Sequence, residues 1–450
     1  MSTKVSTSAP VEKGLMDKLF HLSAKGTDVK TEILAGVTTF VALAYIIFVN
    51  PNILADAGIP KEAAIASTIY ATVVATLLMG LWANFPIAVA PGMGLNAFFA
   101  YYVCGVLGLP WQTALGAVFF SGLLFLVLTL GGVRQAIIKA VPMNLKSAIG
   151  VGIGLFIAFI GLKNAGIIIA DKATFVAVGH LTAPEPFLAC IGMILTAVLI
   201  ARNVKGAMLI GILGTTLLGM IAGVVTIPKG IADIMSFTLP SVGPTLLQLN
   251  IAGAWQYGIF SIIFTFTIVE LFDNMGTLIG LTRKANLMDD QGNIENIDRA
   301  LTTDAVGTLF SAIFGTSTVT SYVESAAGIA EGGKTGLTAL TVSALFLISL
   351  VFAPLIGIVP GFATAPALIL VGAMMLAEIK HVSFDDFTDG VPAFLTVIMM
   401  PLTFSIANGF AFGFISYTFL KSLTGRFKEV SIFMWLISFA FLINFYMRLH

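Results

Sequence analysis

Long apolar runs separated by short polar joints fill most of this 450-residue chain. A membrane-crossing helix takes about 20 consecutive apolar residues, and a half-helix buried in protein takes fewer. On that measure the pattern predicts spans near residues 31–50, 62–84, 87–104, 111–130, 145–169, 186–202 and 206–226. A polar-tinged stretch, KGIADIMSFTLPSVGPTLLQLN, comes next. Seven further spans are predicted near 255–282, 300–315, 318–331, 336–359, 362–379, 391–408 and 409–424. A last apolar run, VSIFMWLISFAFLINFYM, follows Arg426 and Lys428. The expected fold is therefore an all-α polytopic membrane protein of about fourteen spans and one terminal helix.

Seven spans per half is an odd number, so the second half must enter the membrane from the opposite side, as a 7+7 inverted repeat. The third segment of each half is short and interrupted by glycine: FPIAVAPGMGLNAFFAYYVCG and FGTSTVTSYVESAAGIAEGG. Each opens on a β-prone or Pro-containing stretch and then becomes helical, a short strand plus a half-helix. Asn96 and Glu324 fall at corresponding points 228 residues apart, and the same step carries Tyr45 in the first span to Asp273 in the eighth. Unwound backbone and a half-helix N-terminus offer free amides and a positive dipole end. The paired interruptions thus point to a site at the membrane midplane.

Composition agrees with this picture. Hydrophobic residues make up 58% of the chain and charged residues 10%, against roughly 25% charged in soluble domains. So little polar surface cannot cover such a core, and lipid must be the outer solvent. Zero net charge argues against nucleic acid as a partner. Cys104 and Cys190 lie in apolar stretches and form no disulfide framework. The first thirty residues are polar and of mixed charge, so no cleaved secretory signal is expected. With the N-terminus inside, the inner side collects Lys13, Lys18, Lys25, Lys30, Arg134, Lys139, Lys146, Arg202, Lys205, Arg283, Lys284, Arg299 and Lys334. The outer connections hold only Lys61, Lys163, Lys172 and Lys229. The positive-inside rule puts the N-terminus in the cytoplasm.

Four carboxylates fall inside apolar segments: Glu270, Asp273, Asp304 and Glu324. An acid at bilayer depth costs about 2.5 kcal/mol or more, so it faces a cavity or a partner and marks a substrate or ion path. Glu270 and Asp273 are three apart and share a helix face. Asn274, Gly276 and Thr277 extend that face into a polar patch suited to a ligand. Glu324, with Ser321 and Tyr322 before it, is placed to accept N–H bonds from a planar polar heterocycle. Asp304 is expected to support the site from behind, Glu270 to pair with a neighbouring helix or to join the site. Asn96 offers a donor and an acceptor to a base edge, and Phe98 and Phe99 a stacking surface. The four histidines lie in tails or loops, so a midplane proton carrier has to be a carboxylate. The segment Gly328 to Thr335 matches P-loop spacing, yet it joins two spans and lacks the strand and sheet that phosphate binding needs. HExxH, GxSxG and metal-spaced Cys/His clusters are absent, so neither catalysis nor a cofactor is expected.

The segments APGMGLNAFFA, VELFDNMGTLIG and TSTVTSYVESAAGIAEGGKTGLTA resemble the signature of the AzgA-like purine permeases, a branch of the nucleobase–cation symporter-2 (nucleobase–ascorbate transporter) superfamily. The likeness runs from about Gly26 to Arg426. It implies a cytoplasmic tail (1–30), core-domain spans 1–4 (31–130) and 8–11 (255–359), gate-domain spans 5–7 (131–254) and 12–14 (360–426), and a C-terminal apolar helix (427–450). It further implies proton-coupled import of purine nucleobases across the plasma (inner) membrane by elevator-like alternating access, and a homodimer through the gate domain. Asp273 and Glu324 fall where the wider family binds its base, Tyr322 where an aromatic flanks it, and Val323 where a backbone amide meets it. Asn96 matches the third-span position of the purine branch. Protons would be carried by Asp273, with Asp304 and Glu324 as the other candidates. The eighth-span acid is Asp, where the wider family usually has Glu, which leaves room for a bicyclic purine. Thr277 stands where some uracil carriers have histidine. The intact APGMGLNAFFA and TSYVES segments are closer to adenine carriers than to guanine/hypoxanthine carriers. The alternatives are a carrier of xanthine or uracil, an anion exchanger on the same fold, a channel and a ligand sensor.

Overall fold

The structure, a computed structural model, describes residues 14–132, 137, 140–258, 262–287 and 294–447. Lys13, Arg134, Lys139 and His450, used above for orientation and proton carriage, lie outside those residues.

Two short helices, α1 (Leu15–Phe20) and α2 (Leu22–Lys25), lead into α3 (Val29–Leu43) and α4 (Ile46–Asp56). Asp28 caps α3 by accepting from the amides of Lys30 and Thr31. α3 and α4 together make one apolar segment of 28 residues, interrupted at Ala44–Tyr45. The segment outlasts the expected end at residue 50 because Pro51 is accommodated inside α4. Beside it the buried Asn50 amide donates to Thr68 (2.8 Å) and Thr316 (3.0 Å), tying the helix to its neighbours.

α5 (Lys61–Leu78), which ends in a wide turn to Ala83, leads to strand β1 (Val89–Pro91). Helix α6 (Met93–Ala97) follows and widens into a π-helix over Phe98–Val106. Then come α7 (Trp111–Leu130), α8 (Met143–Asn164), the hairpin β2 (Ile168–Asp171) and β3 (Phe175–Val178), α9 (Pro184–Ala201), α10 (Ala207–Ile221) and α11 (Ile251–Gly258). The remainder holds α12 (Phe264–Lys284), α13 (Ile297–Phe314), β4 (Val319–Ser321), α14 (Ser325–Ala330), α15 (Gly336–Ser349), α16 (Ala353–Ile358), α17 (Gly361–Met375), α18 (Phe387–Leu402), α19 (Ile406–Leu423) and α20 (Ile432–Met447). Among the described residues, seven helical segments are long and apolar enough to cross a membrane; Met93–Val106, Ala207–Ile221, Phe387–Leu402 and Ile432–Tyr446 are shorter apolar helices. The 254/255 boundary falls inside α11, which packs on α7.

Packing sorts the helices. α3, α5 and α7 lie against α13, α14 and α15, whereas α8, α9 and α10 lie against α17 and α18, with α18 on α19. Glycine lets backbones of the first group touch: a Cβ on Gly336 would sit 1.9 Å from the Gly80 carbonyl oxygen. The break between α18 and α19 lies at Thr403–Ser405 instead of 408/409. Ser405 caps α19 through the Asn408 amide, so Asn408 is a first-turn residue and does not end a span. Gly409 lies inside α19, where a side chain would collide with Met400.

The P-loop-like segment has a different use. The fully buried Glu32 carboxylate accepts from the amides of Lys334 (2.9 Å) and Thr335 (3.3 Å) and from the Thr338 hydroxyl (2.5 Å). An internal carboxylate thus occupies the anion position at the start of α15.

Candidate functional site

Strands β1 and β4 pair antiparallel, Val89 with Ser321, Ala90 with Thr320 and Pro91 with Val319. Tyr322 donates its amide to Ala88 and Gly92 donates to Thr318, both at 3.0 Å, which extends the ladder at each end. Buried strands need this pairing, because lipid and apolar side chains offer no partners for backbone groups. The central pair Ala90/Thr320 stands 230 residues apart, two more than the 228-residue step read from the sequence. Because the pairing is antiparallel, α6 leaves the ladder at its Pro91/Val319 end and α14 at its Ser321/Val89 end, so both half-helices start from one short crossing.

Polar side chains from the α3–α4 interruption, α6, α12 and α14 converge there. Tyr45, fully buried at the interruption between α3 and α4, donates to Glu324 Oε1 at 2.5 Å. Glu324 stands at the N-cap position of α14 without a side-chain capping bond, and its Oε2 is buried without a hydrogen-bond partner. Half-buried Asp273, on α12, is near enough to Glu324 for the two charges to act on each other. The Tyr322 ring lies within the field of both acids, and its hydroxyl donates to the Pro91 carbonyl. Asn96, fully buried, accepts from the Ser317 hydroxyl, which leaves its Nδ2 unpartnered. Asn274 accepts from the Ser321 amide at 2.8 Å, and its Nδ2 is likewise unpartnered. Among the described residues the site therefore presents one open carboxylate oxygen, two open amide donors and the Thr318 hydroxyl, all buried.

The remaining expected residues take distinct places. Ser321 Oγ donates to Asp304 at 3.2 Å, so this fully buried acid holds β4 from behind. Thr277 is half-buried one turn beyond Asp273. Val323 turns its side chain outward, 64% exposed. Phe98 stacks on Tyr102 (5.2 Å, 14°) and meets the edge of Phe266, so one of its faces is already covered. Glu270 stands apart from the crossing: Thr308 donates to it at 2.5 Å and Ser121 at 3.5 Å, which binds α7, α12 and α13 together. Asn274 belongs to the polar patch read beside Asp273, and Ser317 is the contributor not singled out in the sequence. Its signal was present in the Ser/Thr run before β4. Among the described residues no group of three or more His, Cys, Asp and Glu is placed to hold a metal ion.

A family model described as a permease family matches residues 30–412. A putative permease of Methanocaldococcus jannaschii is 49% identical over 430 residues, covering 96% of this chain and 98% of that protein. The adenine permease AdeP of Escherichia coli is 44% identical over 419 residues, 93% of each chain. The guanine/hypoxanthine permease PbuO of Bacillus subtilis is 43% identical over 420 residues, 92% of this chain and 96% of that one. In fold, the chain resembles the transmembrane domain of a cyanobacterial bicarbonate transporter, BicA, with a TM-score of 0.65, 17% identity, and coverage of 84% of this chain and 97% of that domain. A transporter, with no enzyme among these relatives, is what the matches describe. The chain belongs to this permease family, in the purine permease branch of the nucleobase–cation symporter-2 superfamily.

Proposed function

We propose that this chain imports purine nucleobases, adenine along with guanine and hypoxanthine, by proton symport. The observation that carries the reading is the set of unpartnered buried atoms at the strand crossing: Glu324 Oε2, Asn96 Nδ2, Asn274 Nδ2 and Thr318 Oγ1. A buried polar atom without a partner costs about 1–3 kcal/mol, so such atoms call for a ligand that completes them. A purine edge alternates ring N–H donors with ring nitrogen acceptors. Glu324 and Asp273 accept from the donors, the asparagine amides donate to the acceptors, and the Val323 amide and Tyr322 ring flank the base. The names of the relatives, an adenine permease and a guanine/hypoxanthine permease, support the same substrate class. An anion as substrate fits poorly, since Asp273, Asp304 and Glu324 surround the crossing and would repel it.

The proton is carried by Asp273, which is half-buried and in the field of Glu324. Asp304 and Glu324 are the alternative carriers. The packing groups support a core of spans 1–4 and 8–11 moving against a gate of spans 5–7 and 12–14, in a fourteen-span inverted repeat that works as an elevator. The protein sits in the inner membrane with its N-terminus in the cytoplasm and dimerises through the gate. The test is uptake of labelled adenine in cells lacking their own purine carriers, with hypoxanthine, guanine, xanthine and uracil as competitors. Protonophore-sensitive uptake that purines alone block is expected; no uptake of any base by protein present in the membrane overturns the reading.

A further inference from the structure

A second polar cluster lies beyond the site, along the same half-helix. A cleft of about 580 Å3 opens where α4, the π-helical end of α6, α8 and the α18–α19 turn meet, with Asp56, Ala100, Tyr101, Lys163, Asn164 and Phe404 in its wall. Tyr101 is five residues past Asn96, about 7 Å farther along the helix, so the cleft adjoins the strand crossing.

Three features of this cleft concern movement. Asn164 Nδ2 donates to the Tyr101 hydroxyl at 2.9 Å, and that hydroxyl donates to Asp56 at 2.8 Å. The chain of bonds joins α8 to the π-helical end of α6 and to α4, which packs on α5 of the other group. Tyr101 is only 7% exposed, and Lys163 Nζ lies 4.6 Å from its ring centroid. Phe404 has φ +53°, in the left-handed region that a bulky side chain rarely adopts. Its ring is held edge-on by Tyr101 (5.9 Å), Phe156 (5.7 Å) and Phe159 (5.5 Å). Strain of this kind persists only where surrounding contacts over-determine it.

The opposite face is joined differently. α9 starts beyond the β2–β3 hairpin at the Asn164 end and runs back across, so Lys205 lies at the far end. There Lys205 pairs with Glu331 at 2.6 Å, with the side chains 61% and 28% exposed. An exposed pair holds weakly, whereas the Tyr101 lock is buried.

We propose that Tyr101, Asn164 and Phe404 are the gate that closes the Asn164 face of the purine path. This rests on the alternating-access reading above. Opening this face breaks the Asn164–Tyr101 bond and the edge contact of Phe404 with Tyr101, while Phe404 keeps Phe156 and Phe159 of α8; the structure holds it shut. Loss of one such bond shifts the closed-to-open ratio roughly fivefold. The apparent affinity for purine offered from this face changes with the open fraction.

The test places a thiol in the cleft wall through Ala100→Cys, a position 2% exposed, in a Cys104→Ala/Cys190→Ala background. Intact cells are treated with a membrane-impermeant maleimide. Tyr101→Phe and Asn164→Ala should each raise the labelling rate about fivefold and lower KM for external purine, and Phe404→Gly should raise labelling as well. A control thiol from Ala66→Cys, fully buried within α5, should stay unlabelled throughout. Unchanged labelling at position 100, or an equal rise at position 66 from general loosening, overturns the gate. Labelling needs no substrate, so accelerated labelling without purine uptake would sink the purine reading and leave the gate standing.

Discussion

Removing the Tyr45 hydroxyl tests the bond that holds the Glu324 carboxylate. Tyr45→Phe keeps the ring in its fully buried seat and deletes the donor 2.5 Å from Glu324 Oε1. The other carboxylate oxygen, Oε2, has no partner in the ligand-free protein, so the variant leaves Glu324 poorly held on both sides. Hydrogen bonds to charged groups contribute about 1.5–3 kcal/mol, which corresponds to about 10- to 150-fold in affinity. The assay is equilibrium binding of labelled adenine to purified protein, run as a double-mutant cycle with Glu324→Gln. Tyr45→Phe should weaken binding by that factor in the parent and by roughly threefold or less in the Glu324→Gln background, because the partner it positions is already altered. Equal losses in the two backgrounds would refute the argument, since Tyr45 would then act independently of Glu324.

Three further outcomes follow from the same contacts. Asp273→Asn should retain purine binding within about an order of magnitude while losing proton-driven accumulation, as read by uptake with and without a protonophore; undiminished accumulation would remove Asp273 from coupling. Gly336→Ala should lower the melting temperature in detergent, because its Cβ would lie 1.9 Å from the Gly80 oxygen and overpacking costs about 1–3 kcal/mol. Gly230→Ala, with open space around it, should leave that temperature unchanged. Next to the terminal helix, the Arg426 guanidinium holds the Asp386 and Glu429 carboxyls below the usual carboxylate range. Depressed carboxylates stabilise the fold above their unfolded pKa near 4 and lose that contribution as pH falls through the folded value. Arg426→Gln should therefore melt earlier than the parent at pH 7, with the gap narrowing below about pH 4.

What the sequence made legible was the chemistry that lipid forbids. Asp273, Asp304, Glu324 and Asn96 stand out because each is polar in an apolar segment, and the structure brings Asp273, Glu324 and Asn96 to the same strand crossing that the paired interruptions suggested. Tyr45 was found only through the repeat step, since a tyrosine in a span carries no polarity signal of its own. Geometry decided the rest. Asn274 matters through a bond to the Ser321 amide 47 residues away, and Glu270 leaves the site because Thr308, 38 residues on, satisfies it. The P-loop spacing was resolved by Glu32, 302 residues before the amide it meets. Helix ends near proline were the least legible: Pro51 sits inside α4 and Pro401 inside α18, where neighbouring helices and caps supply what the ring withholds. The Asn164–Tyr101 link joins residues 63 apart, with no local pattern to announce it.

The central claim is that a purine and a proton cross together through the strand crossing. Its most direct test uses purified protein in sealed liposomes without sodium, with an inward proton gradient imposed and labelled adenine outside. The account predicts accumulation above equilibrium that collapses with a protonophore and is absent in Asp273→Asn. Adenine that only equilibrates, or that accumulates only when sodium is supplied, would contradict it.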